Sequence, residues 1–255
     1  MRVARVLATV CAGLAFAPCQ APRSAAAAGR QETYNLRRVY KAGDVDRYRM
    51  TMVVGGEGLR VTTDLVVTER VKEVKPDGTA TVLTTIESGT MDYNGRVSPF
   101  PMNGQTVAST VDRNGRVLKR EGAAGALDDA LGAASAGLPD RPVRIGEQIR
   151  LETPPDDDKS SDRAVVTLTV VGKEKRGGDL SSDAIRVNTS ATRRVLTPDG
   201  PQSVTITGTA YIECGAGKTL KIEGTVKGVL PPPLGKATIT FTRVRIDEAA
   251  PRTNR

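Results

Sequence analysis

The sequence predicts a mainly β fold: a large curved antiparallel sheet, half-barrel or barrel-like, made from two similar β units and carrying one short Ala-rich helix. Apolar and polar residues alternate at period two over most of the chain, as in strands that bury one face. Turn chemistry (Pro-Asp-Gly, Asn-Gly, Gly-Gly) breaks those runs at short intervals. Two landmarks of the first half also return in the second at almost the same spacing. Gly43 to Gly115 spans 72 residues, and Gly146 to Gly217 spans 71.

The chain opens on Arg2 and Arg5, an apolar run from Val6 to Ala17, and small residues from Ser24 to Ala28. That is the layout of a signal peptide over residues 1–28, cut after Ala26 or Ala28, and its apolar run is too short to span a bilayer. Neither Cys11 nor Cys19 sits in a lipobox, and Pro18 stands directly before Cys19. A periplasmic or secreted product is therefore expected over one lipid-anchored through Cys19. Cleavage removes Arg2, Arg5 and Arg23 and lowers the formal charge from +8 to +5. No later stretch is apolar enough to cross a membrane.

A β-rich domain is expected over residues 29–247, its halves at 33–120 and 141–247. In the first half, Tyr48, Met50, Met52 and Val54 alternate with polar neighbours, and Leu59, Val61, Thr63, Leu65 and Val67 continue the period after Gly55-Gly56. Pro76-Asp77-Gly78 turns the chain into Ala80, Val82, Thr84 and Ile86, because Pro presets φ and Gly accepts a positive one. Asn114-Gly115 predicts a type I′ turn between Val107–Val111 and Val117–Lys119. Residues 122–136 carry Leu127 and Leu131 at i, i+4 among alanines and read as a helix, weakened by Gly122, Gly125 and Gly132. The second half predicts strands at 143–151, 165–171, 184–195, 203–213, 220–230 and 236–246. In all, roughly a dozen strands stand against one helix. The polar tail 248–255 is expected to be disordered.

Composition removes whole classes of function. The chain has no His and no Trp, five Tyr and three Phe. Without imidazole there is no Ser-His-Asp or Cys-His machinery and no His-ligated zinc. So few aromatics argue against sugar stacking and against base stacking, and nucleic acid is not an expected partner. The cluster Asp156-Asp157-Asp158 lacks the alternating ligand spacing of a calcium loop and reads as a solvated turn. Asp44, Asp64, Asp92 and Asp112 are the carboxylates that a hydrolase would have to bring together. Cys214 has no base to activate it. Gly215-Ala216-Gly217-Lys218-Thr219 lacks the first glycine of a phosphate loop and precedes a strand rather than a helix. The basic runs Lys173–Arg176 and Arg193-Arg194 read as solvated strand ends. No catalytic residue, metal ligand or cofactor is assigned.

The order of exported leader, Gly-Asp turn, Pro-Asp-Gly hairpin, D-x-x-G turn, Ala-rich helix and second similar half resembles uncharacterised secreted β-rich families of bacteria. More distantly, over about residues 33–247, it is similar to the periplasmic lipoprotein-carrier half-barrel, in which a curved sheet with helical cover holds acyl chains. The likeness is one of layout and transfers no functional residue.

These observations converge on a non-enzymatic binding protein for a hydrophobic or amphipathic ligand such as a lipid. So much one-sided strand needs more cover than one small helix provides. The expected groove is lined by Met50, Met52, Leu65, Ile86, Ile206, Ile222 and Phe241, with Leu127 and Leu131 at its mouth. A structural or protein-interaction module of the envelope, its sheet packed on itself and meeting another envelope protein, is the alternative. A hydrolase ranks third.

Overall fold

Where the pleat repeats, strands of 10 to 16 residues form, with local register shifts such as those between Val71 and Glu73 and between Val170 and Gly172. The computed structural model describes residues 32–56, 58–121, 137–152, 165–197, 200–230 and 235–246. The leader 1–28 with Cys19, the helix expected at 122–136 with Leu127 and Leu131, the Asp156–Asp158 loop and the tail 248–255 lie outside them. The strands in chain order are β1 (Thr33–Tyr34), β2 (Val45–Gly56), β3 (Leu59–Val74), β4 (Ala80–Tyr93), β5 (Arg96–Pro99), β6 (Thr106–Val111) and β7 (Val117–Glu121). Then follow β8 (Val143–Arg144), β9 (Gln148–Glu152), β10 (Val165–Glu174), β11 (Ala184–Thr197), β12 (Gly200–Glu213), β13 (Thr219–Leu230) and β14 (Gly235–Arg245).

All but β1 and β8 enter one 12-stranded antiparallel sheet in the order β7-β6-β4-β3-β2-β14-β13-β12-β11-β10-β9, with β5 beside the far end of β4. Two meanders meet in the middle. The first runs outward from β2 to the edge at β7; the second runs inward from β9 to β14. The seam β14·β2 joins them from Arg245↔Tyr48 to Ala237↔Gly56. Among the described residues both edges stay unpaired within the sheet, so it does not close into a barrel. Those edges carry Lys119, Arg120 and Glu121 on β7 and Arg150 and Glu152 on β9, charges that discourage edge-to-edge pairing. A separate two-stranded ribbon, β1·β8, pairs Thr33 with Arg144 and Tyr34 with Val143.

The turns refine the expectations. Lys75 N–H donates to Thr79 O across the Pro-Asp-Gly hairpin, and Gly78 takes φ +85°. At 112–116 the type I′ expectation is corrected: Gly115 alone has positive φ, Gly115 N–H donates to Asp112 O, and the side chain of Asp112 accepts from the amides of Asn114 and Arg116. An aspartate accepting both amides holds a wider loop than two residues in left-handed conformation would form. The left-handed Asn-Gly pair is instead Asn94-Gly95, φ +49° and +88°, which turns β4 into β5. The strand expected at 143–151 is cut in two, because Gly146 at φ +83° turns β8 into β9.

Backbone bonding at the two lead-in turns is the same. Gly43 N–H donates to Val71 O and Val71 N–H to Asp44 O; Gly146 N–H donates to Val170 O and Val170 N–H to Glu147 O. The turns at Asp112–Gly115 and Glu213–Gly217 behave alike but in crossed fashion. Leu138 N–H, ahead of the second half, donates to Asn114 O, whereas Val39 N–H, ahead of the first, donates to Ala216 O.

Strand alternation sorts the sheet into an apolar and a polar face. Four buried clusters lie along the apolar one. Under Leu36 and Val143, residues Ile149, Val166, Leu168, Val170, Ile185, Val187, Ala191 and Ile212 form the largest. Val71, Ala80, Val82 and Val111 pack beside Tyr40. Met50, Leu65, Val67 and Ile86 pack beneath Phe100 and Met102. Val54, Val204, Val226, Ala237 and Ile239 lie at the seam.

Candidate functional site

The seven described groove residues come from β2, β3, β4, β12, β13 and β14, and register places all of them on the apolar face. Met50 stands opposite Leu65 and Arg243, Met52 opposite Phe241, and Phe241 opposite Gly224. They do not form one lining. Met50, Leu65 and Ile86 are 8 %, 3 % and 4 % exposed, closed over by Phe100 and Met102, and belong to the core. Gly89 makes that packing possible: a Cβ there would come within 2.3 Å of Leu65 Cδ2. Met52, Ile206, Ile222 and Phe241 keep part of their surface exposed. Met52, Ile206 and Phe241, together with Val61, pack against the seam cluster, and Ile222 stands opposite Arg243 beside it. Among the described residues no strand or helix is layered over this central stretch. The Phe241 ring packs against Gly224, where a Cβ would meet its Cζ at 2.7 Å and its Cε1 at 3.0 Å. Glycine at 224 thus lets the aromatic ring lie within the apolar floor rather than stand above it.

One end of this floor is charged, which sequence reading missed. Arg38 donates from Nη2 to Asp46 at 2.7 Å and from Nη1 to Glu69 at 3.2 Å. Arg243 Nη2 donates to the other Glu69 oxygen at 2.6 Å and stacks its guanidinium 3.6 Å from the Tyr48 ring centre. Lys218 bridges Asp46 at 3.1 Å and Asp44 at 3.3 Å, and Arg245 reaches Asp46 at 3.4 Å and Glu213 at 3.6 Å. Among the described residues four cations meet four carboxylates, so the cluster as described is neutral and offers no surplus charge to an anionic headgroup. It ties the first half, through Arg38, Asp44, Asp46 and Glu69, to the second. The periodicity gave a signal: Asp46, Glu69 and Arg243 occupy inward positions of otherwise alternating strands.

The electrostatics follow from burial. The Tyr48 phenol is pushed up to about 12, by desolvation first and then by the charge of Glu69. Burial alone would raise the Glu69 carboxyl, but Arg243 and Arg38 outweigh it and hold the group below its ordinary value. Glu69 is thereby locked as the ion, a poor proton acceptor. A depressed folded-state pKa contributes stability that is present above the unfolded value of about 4.3 and lost as pH falls through the folded one. Thermal melts should therefore show a midpoint that drops below about pH 4. In Glu69→Gln that part of the acid dependence should be missing; an identical pH profile in the variant would contradict the assignment. The Tyr48 hydroxyl and the Nε atoms of Arg38 and Arg243 are buried without a hydrogen-bond partner among the described residues.

The carboxylates considered for hydrolysis are not brought together. Asp64 accepts from the Thr51 hydroxyl on the polar face, Asp92 caps the amide of Gly95, Asp112 organises its own turn, and Asp44 pairs with Lys218. Cys214 is exposed, and desolvation raises its thiol pKa, which keeps it protonated. The run at Lys173–Arg176 is paired through Lys173 with Asp183 and Glu174 with Arg186. Among the described residues no group of three or more acidic or thiol side chains gathers to hold a metal. No helix among them is long and apolar enough to cross a membrane.

No protein-family model matches the sequence, and no curated protein matches it either. Among solved structures, a protein with a YmcC-like fold from Bacteroides fragilis is 10 % identical, with 82 % of this chain and 96 % of that one covered, at a TM-score of 0.33. Lipovitellin, from a study of its lipid–protein interactions, is 9 % identical, with 85 % of this chain but 26 % of its own length covered, at a TM-score of 0.34. Scores this low leave the function to be argued from this chain's own residues.

Proposed function

We propose that this chain is a non-enzymatic binding protein that works outside the cytoplasm and holds a hydrophobic or amphipathic ligand, such as a lipid, on the apolar face at the β14·β2 seam. The observation that carries this reading is that Met52, Ile206, Ile222 and Phe241 come from four adjacent strands, share one face and each keep part of their surface exposed there, with Met52, Ile206 and Phe241 packed on the seam cluster. The location outside the cytoplasm rests on the basic, apolar and small-residue layout of residues 1–28. Headgroup recognition by the neutral ionic cluster is not required. Affinity would come from the chain of the ligand, at about 0.8 kcal/mol per buried methylene.

A titration with a fluorescent fatty acid, displaced by unlabelled acids of increasing length, tests this. Each added methylene should tighten binding about three- to four-fold. Met52→Gln with Ile206→Gln should weaken binding at least about ten-fold with little change in melting temperature. No saturable uptake, or uptake indifferent to both chain length and these substitutions, would overturn the reading. The packing of Met50, Leu65 and Ile86 beneath Phe100 and Met102 favours a second reading, in which the face is filled by the chain itself and the protein is a structural or protein-interaction module of the envelope.

A further inference from the structure

We propose that the opposite, polar face carries a separate site: a trough across β11 to β14 that takes a neutral polyhydroxylated chain, a segment of linear polysaccharide. Side chains one pleat apart point to opposite faces, so residues in register form rows that run across the strands with a spacing of about 4.8 Å. Thr207 pairs with Thr225 and Thr225 with Thr240, which makes one row. Asn188 pairs with Thr209, Thr209 with Glu223 and Glu223 with Thr242, which makes the next. Two residues along the strand separate the rows by about 7 Å. Between them lies a shallow, wide-open depression of about 490 Å³, lined also by Thr189, Gly208, Gly224 and Phe241. Gly208 and Gly224 face each other in it.

The chemistry of these walls selects the occupant. Each threonine hydroxyl both donates and accepts, and its methyl offers a small apolar contact beside it, as the alternating hydroxyl and C–H surfaces of a sugar require. Thr209 donates to Asn188 Oδ1 at 3.1 Å, which fixes the amide with its NH₂ group as donor. The one charge in the walls, Glu223, is met by Lys221 at 3.0 Å, which also meets Asp179 at 3.2 Å. The trough therefore carries no surplus positive charge on a chain of formal charge +8, a poor match for a polyanion. An acyl chain would leave two rows of hydroxyls without partners at a cost of about 1–3 kcal/mol for each one buried. An extended peptide would gain more by pairing with an open sheet edge than by crossing the strands. A linear neutral glycan lies across the strands with a rise per sugar close to their spacing, so successive residues meet successive strands.

The test is calorimetric titration of the intact protein with cellohexaose and chitohexaose, both linear and neutral, and with a heparin hexasaccharide as the anionic control. Saturable binding of at least one neutral hexasaccharide is expected, with none of heparin. Thr225→Val with Thr240→Val keeps shape and strand propensity and should weaken binding at least about ten-fold while leaving fatty-acid uptake on the other face unchanged. Thr207→Val alone, at an exposed position, should weaken it about three-fold and serves if the double variant does not fold. Absence of binding by either neutral oligosaccharide, preference for heparin, or valine variants that bind within two-fold of the parent would overturn the proposal.

Discussion

Replacing Glu69 by leucine is expected to lower the unfolding free energy by about 3–5 kcal/mol, the loss seen when one partner of a buried ion pair is removed. Glu69 holds Arg38 through one carboxylate oxygen and Arg243 through the other, and each of the three side chains is less than one-fifth exposed. With the carboxylate gone, among the described residues Arg243 keeps only the Tyr48 ring, whereas Arg38 keeps Asp46. The Arg243 guanidinium would then sit desolvated without a carboxylate partner among them. Changing Arg243 to methionine in the same chain should recover part of the loss, because the burden is the orphaned charge rather than the missing bond. Glu87, paired with Arg47 at 2.6 Å but about one-third exposed, sets the contrast. Its replacement by leucine should cost no more than about 1 kcal/mol. Urea denaturation of the three variants decides the matter, and equal losses at Glu69 and Glu87 would contradict a buried fastener.

The second large effect is expected at a glycine. Gly217 has φ +64°, and a Cβ added there would fall 2.2 Å from the carbonyl oxygen of Arg37, 2.5 Å from its carbon and 2.7 Å from the amide nitrogen of Arg38. These are backbone atoms and cannot swing aside. Gly217→Ala should therefore cost about 2–5 kcal/mol, combining left-handed strain with overlap. Gly43 has φ +89° with nothing within 4 Å of the added carbon, so Gly43→Ala should cost only about 1 kcal/mol. Since the overlap displaces the segment that carries Arg38, Gly217→Ala and Glu69→Leu should be less than additive. Additive losses in a double-mutant cycle would mean that the turn and the ionic cluster are independent.

Much of this architecture was legible because it follows from period-two alternation. Strand spans, the Pro-Asp-Gly hairpin at 76–78 and the shared face of Met52, Ile206, Ile222 and Phe241 require only that alternate side chains point the same way. Three features were less legible. Closure of Met50, Leu65 and Ile86 depends on Phe100 and Met102, a long-range contact made possible by Gly89, and no local pattern encodes it. Pairing of β14 with β2 brings the chain's two meanders together, and the ionic cluster exists only because of that pairing. The turn at 112–116 contains the Asn-Gly pair typical of a tight hairpin, yet Asp112 captures the two amides first, whereas Asn94-Gly95, with the same signal, takes the left-handed conformation at both residues. Groove residues and core residues share one alternation, so only tertiary packing separates them.

Native mass spectrometry of the full chain, expressed with its own N-terminal segment and released gently from the envelope of a bacterial host, tests the central claim most directly. The account predicts a population heavier than the polypeptide by the mass of one lipid, released on activation and diminished in Met52→Gln with Ile206→Gln. A single bare mass for the parent protein, unchanged after incubation with lipid extract, would contradict it.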